Sequence, residues 1–576
     1  MLANSKRWVI APRAPDEYLH TLKQRGVHYV LAQVLYNRGY TDPQAAEAFL
    51  NQSSYSEDDN PFLLKGMVEA VYRLRMAIRR EEPVAVYGDF DADGVTSTVL
   101  LTDALKKLGA TVRPYIPDRV DEGYGLNSEA LKRLAESGVR VVVTVDCGIR
   151  SIQEVEDGTS HGLEIIITDH HSIGKEIPPA LTIINPKQPD CPYPEKMLAG
   201  VGLAHKLVQA LYMEAQRRVP KLVEDWHPDD YLDLVALGTV ADVSPLRGEN
   251  RPLVYRGLKR LNDPQRVGLQ ALYNVARVQA GGVTSTTIGF ILGPRINAAG
   301  RLESALLAYN LLTAEDERQA WMLAEKLETL NRDRQAKTRE MQTWAEESLP
   351  GDPEDEPLLF AADTRFLQGV VGLVASRLTE VYYRPSVVIQ RGEEESHGSC
   401  RSIPEFHITD ALDQCADLLE RYGGHAAAAG FTVLNKNIEP LGERLYEIAL
   451  DELSAYDDLR PTLDIDVMLP FKALDDELAD ALAQLEPTGE ANSIPLFASR
   501  GLVVKAHQTV GSEEAHLKLR LADGEHTREA IAFRRGALQD ALPERVDVAY
   551  HLETDEWNGR RRLQLNVQDI RPAEDS

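Results

Sequence analysis

From about Pro83 the chain alternates short apolar runs with amphipathic ones. "VAVYG", "TVRPYIP", "VRVVVTVD" and "LEIIITDHH" read as strands, and "STVLLTDALKKLG" and "NSEALKRLAESG" between them as helices, the second capped by Asn127 or Ser128 and stopped by Gly138. Strand and helix alternating at this spacing predict an α/β fold on a parallel sheet. Residues 1–70 read as a polar helical segment, in which Thr41 or Asp42 followed by Pro43 marks a helix start. A long helical stretch runs from Ala314 to about Glu347, and a second α/β pattern opens at "PLLFAAD" near Pro357. From Phe497 only strands remain, and five short strands suit a small β-barrel of the OB type. The expected partition is a helical segment 1–70, a first α/β domain 71–310, a helical connector 311–350, a second α/β domain 351–455 and a barrel domain 456–576.

Composition narrows the class. The chain has 576 residues, 43% hydrophobic and 27% charged, which suits three or four soluble domains. It holds no run of about eighteen apolar residues, and its first residues lack the apolar core of a signal peptide. Cys147, Cys191, Cys400 and Cys415 form no CxxC pair, which argues against a zinc knuckle or disulfide framework and suits a reducing cytoplasm. The net charge of -27 speaks against nucleic acid when taken alone. The distribution changes that picture: Arg251 to Arg301 carries eight basic residues against Asp263 alone, while acidic residues gather in "GDPEDEP" and "LDDELAD". A basic groove remains compatible with the acidic total.

The chemistry concentrates where apolar elements end. "YGDFDADG" places Asp89, Asp91 and Asp93 after the strand 84–87, where ligands bind in a parallel sheet. Alternate residues on extended backbone would point these carboxylates the same way, and a cation would be needed to relieve their repulsion. Gly88 and Gly94 would permit tight turns. "TVDCG" brings Asp146, "TDHH" brings Asp169, His170 and His171, and "LVALGTVADVSPL", strand or helix, brings Asp242. Oxygen ligands with a few imidazoles suit Mn²⁺ or Mg²⁺, and a pair of such ions clamps both oxygens of an in-line phosphoryl displacement.

In this order, "GDFDADG", "TVDCG", "TDHH" and "GTVADVSPL" resemble the motifs of the DHH phosphoesterase superfamily. "PDRVDEGYGL", "LAGVGLAHKL", "GPRINAAGRL", "GSCRSIPEF", "YGGHAAAAGF" and "WNGRRRLQLNVQDI" extend the resemblance to its bacterial single-strand exonucleases, from about Val84 to Pro572. The resemblance implies two divalent ions, Mn²⁺ or Mg²⁺. Asp91 would bind the first and Asp93 the second, Asp146 would bridge, and His170 and Asp242 would complete the second site. His171 would lie near the attacked phosphate. Related phosphatases carry a His where this chain has Tyr87, which leaves the first ion a ligand short, to be supplied by Asp89 or a water. Asp169 would orient a His or cap a turn.

Phosphate binding calls for Arg, hydroxyls and backbone amides. Arg295, Asn297 and Arg301 of "GPRINAAGRL" meet that need, or open a helix. Arg119 and Tyr124 would reach phosphates or stack a base, or else shape a loop after a strand. Ser399, Arg401 and Ser402, with Gly423, Gly424 and His425, belong by resemblance to the DHH-associated domain and would hold the 5′ end, though the alanines read as helix from Ala426 onward. Cys400 stands where the family has Gly, and "RFLQGVVG" lacks the family's usual aromatic and His, Phe366 being the nearest ring. In the barrel, Lys518, Arg520, Arg560, Arg561, Trp557 and His516 suit a single strand. The implied activity is processive 5′→3′ hydrolysis of single-stranded DNA to nucleoside 5′-monophosphates in recombination and repair. The implied setting is a cytoplasmic monomer working with a single-stranded-DNA-binding protein and a helicase, with no membrane contact. Two other readings are a phosphodiesterase for very short oligonucleotides or cyclic dinucleotides, disfavoured by the barrel, and a non-catalytic scaffold at a replication fork, disfavoured by the presence of Asp91, Asp93, Asp146, His170 and Asp242.

Overall fold

The computed structural model describes residues 6–51, 59–119, 122–123, 125–557 and 560–573. The chain divides into two compact units, residues 54–457 and residues 1–53 with 458–576.

In the unit 54–457, a five-stranded parallel sheet is built from β1 (Val84–Gly88), β2 (Val112–Tyr115), β3 (Val141–Val145), β4 (Glu164–Thr168) and β5 (Thr182–Ile184), in the order β2-β1-β3-β4-β5. β1 and β3 are buried along their whole length, as their unbroken apolar runs require. Alternate residues feed two cores. Val84, Val86, Val141 and Val143 pack with α1 (Met67–Arg79), α2 (Ala92–Lys107), α5 (Gly200–Arg218) and α6 (Leu232–Ala241). Ala85, Tyr87 and Val142 pack with α3 (Ser128–Glu136) and α4 (Ile152–Ser160). The strand order reverses between β1 and β3, and their carboxyl ends form the switch-point crevice.

α7 (Gly293–Leu302) leads through a short helix to α8 (Glu317–Ser348), capped by Asp316, whose carboxylate accepts the Gln319 amide at 2.8 Å. α8 joins two cores: Ala320, Ala324 and Leu327 pack with the first sheet, Met341 and Ala345 with the second. That second sheet comprises β6 (Leu359–Asp363), β7 (Ser386–Gln390), β8 (Glu395–Arg401), β9 (Leu419–His425) and β10 (Ala428–Leu434), ordered β9-β10-β8-β7-β6, with α9 (Val371–Tyr382) against it. Only β6 and β7 run parallel. The alanines after His425 are thus no helix: they turn the β9–β10 hairpin, because Phe431 and Val433 alternate inward and bury as strand residues.

The other unit contains a closed barrel of β11 (Phe497–Val510), β12 (His516–Asp523), β13 (His526–Ala532), β14 (Arg545–Trp557) and β15 (Arg560–Pro572). Its order is β11-β12-β13-β15-β14, β14 returning to β11 and β13 pairing parallel with β15, an OB arrangement. Residues 7–10 pair with 462–465 in parallel. Leu22, Val30, Leu31 and Leu35 share one core with Phe471, Phe497, Leu517 and Val546. The N-terminal helices are therefore part of the barrel unit up to residue 53, rather than a segment of their own reaching residue 70. Asp42 does cap its helix, accepting the Ala45 amide at 2.9 Å.

Candidate metal centre and nucleic-acid cleft

The aspartate triplet does not lie on extended backbone. The chain turns from β1 directly into α2, so Asp89 sits in the loop, Asp91 is the helix N-cap and Asp93 falls in the first turn. Asp91 Oδ1 accepts the amides of Asp93 at 2.9 Å and Gly94 at 3.1 Å. Gly94 serves close approach rather than a turn, since a Cβ there would lie 2.4 Å from the Asp89 carbonyl oxygen. Asp93 is buried, with its two oxygens accepting Gly200 N at 2.7 Å and Val201 N at 2.8 Å.

Asp146 follows β3 in a left-handed conformation, φ 63°. Its Oδ1 lies 3.1 Å from His170 Nε2, which is also 3.9 Å from Asp93 Oδ2 and 3.9 Å from Asp242 Oδ1. "LVALGTVA" is a helix, α6, and Asp242 is its C-cap, with Ser244 Oγ donating to Oδ2 at 2.6 Å. Three sets of donor atoms, each within 4.8 Å of one another, result: Asp89, Asp91 and Asp146; Asp93, His170 and Asp242; Asp146, His170 and His171. Asp146 belongs to two of them. Asp89 completes the set that Tyr87 leaves short; Tyr87 instead donates to Gly125 O at 3.2 Å and stacks on Tyr115.

Buried Asp89 Oδ1, Asp146 Oδ1 and His170 Nε2 find no hydrogen-bond partner among the described residues. Burial, then mutual repulsion, raises the Asp89, Asp93 and Asp146 carboxyls, and burial lifts Asp242 to about 7. Burial also lowers His170 to about 3, keeping its imidazole neutral and able to ligate. Orphaned oxygen and nitrogen donors without a thiolate fit hard divalent cations, and a cation would relieve the repulsion. Asp169 turns away from the cluster. It accepts Ile149 N at 2.9 Å and meets His171 Nδ1 at 2.7 Å, which outweighs burial and raises that imidazole.

A cavity of about 760 Å³ opens from Asp89, Asp91 and Asp242 toward the second sheet. Arg119, Asn297, Arg301, Ser399 and Arg401 line it. Arg119 Cζ stands 4.8 Å from the Phe90 ring centroid. Burial, with Arg119 nearby, lowers Arg301 to about 10, and burial lowers Arg119 and Arg401. Crowded guanidinium groups in a cavity suit a polyanion. Asn297 also accepts the Ala92 amide at 2.7 Å, tying α7 to the start of α2. Gly424 and His425 line a second cavity, of about 500 Å³, beside Asp169 and His171.

Arg295 is placed elsewhere. It pairs with Glu328 of α8 at 2.7 Å and donates to Ile291 O, and it is not among the residues lining the cavity. Ser402 donates to Phe406 O at 2.7 Å and does not line it either. Tyr124 lies outside the described residues. Within the basic run 251–301, Arg256, Arg260 and Arg266 pair with Asp229, Asp230 and Asp233, and the cavity that Lys259, Arg260 and Arg266 line is shared with Asp103, Asp230, Asp233 and Asp263, so it is of mixed charge. Cys400 is buried between Ser399 and Arg401, pointing to the opposite face of β8, so it leaves the cavity unobstructed. Phe366 is a core residue, and Gln368 reaches the cavity instead. His397, Arg421 and Tyr422 also line it, and sequence reasoning misses all three; the last two sit on a hairpin strand whose partner is masked by the helix-like alanines.

The sheet order, the carboxylates at the crevice and the paired imidazoles are those of a DHH-type protein. The DHH family N-terminal domain model matches residues 83–239, the DHHA1 domain model residues 355–454 and the RecJ OB domain model residues 465–569. The chain is 36% identical to the single-stranded-DNA-specific exonuclease RecJ of Bacillus subtilis over 100% of its length and 72% of that protein's. It is 35% identical to that of Escherichia coli over 88% of its length and 91% of that protein's. The fold matches the crystal structure of RecJ in complex with Mn²⁺ from Thermus thermophilus with a TM-score of 0.84 at 32% identity, covering 99% of this chain and 80% of that one. The chain belongs to the RecJ family of single-stranded-DNA-specific exonucleases.

Proposed function

We propose that the protein removes nucleotides from the 5′ end of single-stranded DNA as 5′-monophosphates, using two divalent ions, Mn²⁺ or Mg²⁺. The observation that carries this reading is the adjacency of the donor sets around Asp146 to a cavity lined by Arg119, Arg301 and Arg401. Asp89, Asp91 and Asp146 would hold one ion and Asp93, His170 and Asp242 the other, Asp146 being within reach of both. Bound there, the ions supply charge for the pentacoordinate phosphorus and for activation of water. Arg119, Ser399 and Arg401 receive the terminal 5′-phosphate, which places the next phosphodiester over the carboxylates. His171, oriented by Asp169 and grouped with Asp146 and His170, would donate to the phosphate as charge develops.

Polarity, processivity and a role in recombination and repair carry over from the family. So do a cytoplasmic setting, a monomeric state, and a single-stranded-DNA-binding protein and helicase as partners. Among the described residues no helix is long and apolar enough to cross a membrane.

The test uses end-labelled oligonucleotides with Mn²⁺, native chain against Asp93→Ala. Mononucleotide release from the 5′ end, weak on duplex and absent in the variant, is expected. Release from the 3′ end would overturn the polarity, and no metal-dependent cleavage would overturn the enzyme.

A further inference from the structure

The first two amides of α5 both converge on one side chain. Gly200 N donates to Asp93 Oδ2 at 2.7 Å and Val201 N to Asp93 Oδ1 at 2.8 Å. Each oxygen keeps a further lone pair, because a carboxylate accepts about four bonds in all. The same Gly200 faces the neighbouring ligand: a Cβ built there would lie 2.6 Å from Asp146 Cβ and 2.9 Å from Asp146 Oδ1. Asp93 is hemmed in from α6 as well, where a Cβ at Gly238 would lie 2.9 Å from Asp93 Oδ1 and 2.4 Å from Thr96 Oγ1. Gly202, further along α5, faces only Leu198, whose side chain would be 3.3 Å from an added Cβ.

The start of α5 is therefore wedged between two carboxylates, holding one by its amide and seating the other by its missing side chain. Asp93 lies in the first turn of α2 and Asp146 follows β3, so the two carboxylates come from different elements and repel across the crevice. We infer that Gly200 is a positioning residue that sets the separation of Asp93 from Asp146 and thereby the affinity of the centre for its divalent ions. The inference rests on the metal-centre reading above. Any side chain at position 200 drives Asp146 off its place or draws the amide away from Asp93, and both deform the ligand set without touching substrate.

The test compares full-length Gly200→Ala and Gly202→Ala with the native chain, measuring Mn²⁺ binding by titration calorimetry and melting temperature in chelator. Gly200→Ala is expected to bind Mn²⁺ about 10–100-fold more weakly, the scale on which supporting residues act on a metal site. Gly200→Ala is expected to melt somewhat below Gly202→Ala in chelator, because its Cβ meets Asp146, so binding is measured at a temperature where both variants are folded; Gly202→Ala binds Mn²⁺ like the native chain. Native-like binding by Gly200→Ala, or equal weakening by Gly202→Ala, overturns the positioning role while leaving the metal centre standing. Absence of Mn²⁺ binding by the native chain overturns both. If Gly200→Ala does not fold, hydrogen exchange of the native chain decides: the amides of 200 and 201 are expected to slow on adding Mg²⁺, and metal-independent exchange there overturns the inference.

Discussion

His171 and Asp169, two residues apart, form a closed pair: Nδ1 lies 2.7 Å from Oδ1, and the His171 amide donates to the same oxygen at 3.1 Å. The carboxylate fixes the ring's orientation, so its other nitrogen is committed to one direction. Asp169→Asn is expected to lower kcat by about 10–100-fold. Mn²⁺ affinity should stay close to native, since Asp169 is outside the two carboxylate sets. Equal losses of kcat and metal binding would show that Asp169 instead supports the ligands.

Arg401 lines the cavity beside Ser399. A hydrogen bond to a charged group contributes about 1.5–3 kcal/mol. Arg401→Ala is thus expected to raise KM for a 5′-phosphorylated strand by about 10-fold or more and to erase any preference over a 5′-hydroxyl strand. Steady-state rates on the two substrates check this, and a preference that survives would move the 5′-phosphate elsewhere.

Stability should depend on pH and metal together. Burial raises the Asp242 carboxyl from 3.8 to about 7 in the folded chain, and Asp89, Asp93 and Asp146 shift the same way. A folded pKa above the unfolded one gives stability that is full below about 3.8 and lost as pH rises through about 7. In chelator, this cluster therefore destabilises the protein at pH 8 relative to pH 5.5. Mn²⁺ offsets that loss, so its gain in melting temperature should be larger at pH 8. Scanning calorimetry with and without Mn²⁺ reads both, and an equal gain at the two values would refute the assignment.

Arg295 and Glu328 meet at 2.7 Å with side chains 14% and 13% exposed. Arg295→Ala leaves the nearly buried carboxylate with Arg332, at 2.8 Å, as its remaining partner, and a loss of about 1.5–3 kcal/mol is expected. KM for DNA should not change. Urea denaturation and kinetics separate this from a DNA-contact role, which would move KM.

Several candidate donors were legible in the sequence because they end an apolar element: Asp146 closes "VVVTV", and His170 and His171 follow "IIIT". The backbone carrying Asp91 and Asp93 was not, because a strand-to-helix turn looks like a continued strand until the cap is seen. The cavity arginines were only partly legible. Arg119, Arg301 and Arg401 stood in recognisable motifs, whereas Arg256, Arg260 and Arg266 of the basic run pair with Asp229, Asp230 and Asp233, a neighbourhood visible only in three dimensions. Arg421 and Tyr422 were hidden by the alanines beyond them, whose helix propensity of a fraction of a kcal/mol yields to the burial of Phe431 and Val433.

The core shared by Leu31 and Phe497 has a consequence for biosynthesis. Leu22, Leu31 and Leu35 are translated early, yet the strands that share their core follow roughly 500 residues later. At about 5–20 residues per second, those leucines wait tens of seconds for their partners. A nascent chain arrested once residues 54–457 have emerged would carry that unit preceded by an apolar arm, a state suited to chaperone capture.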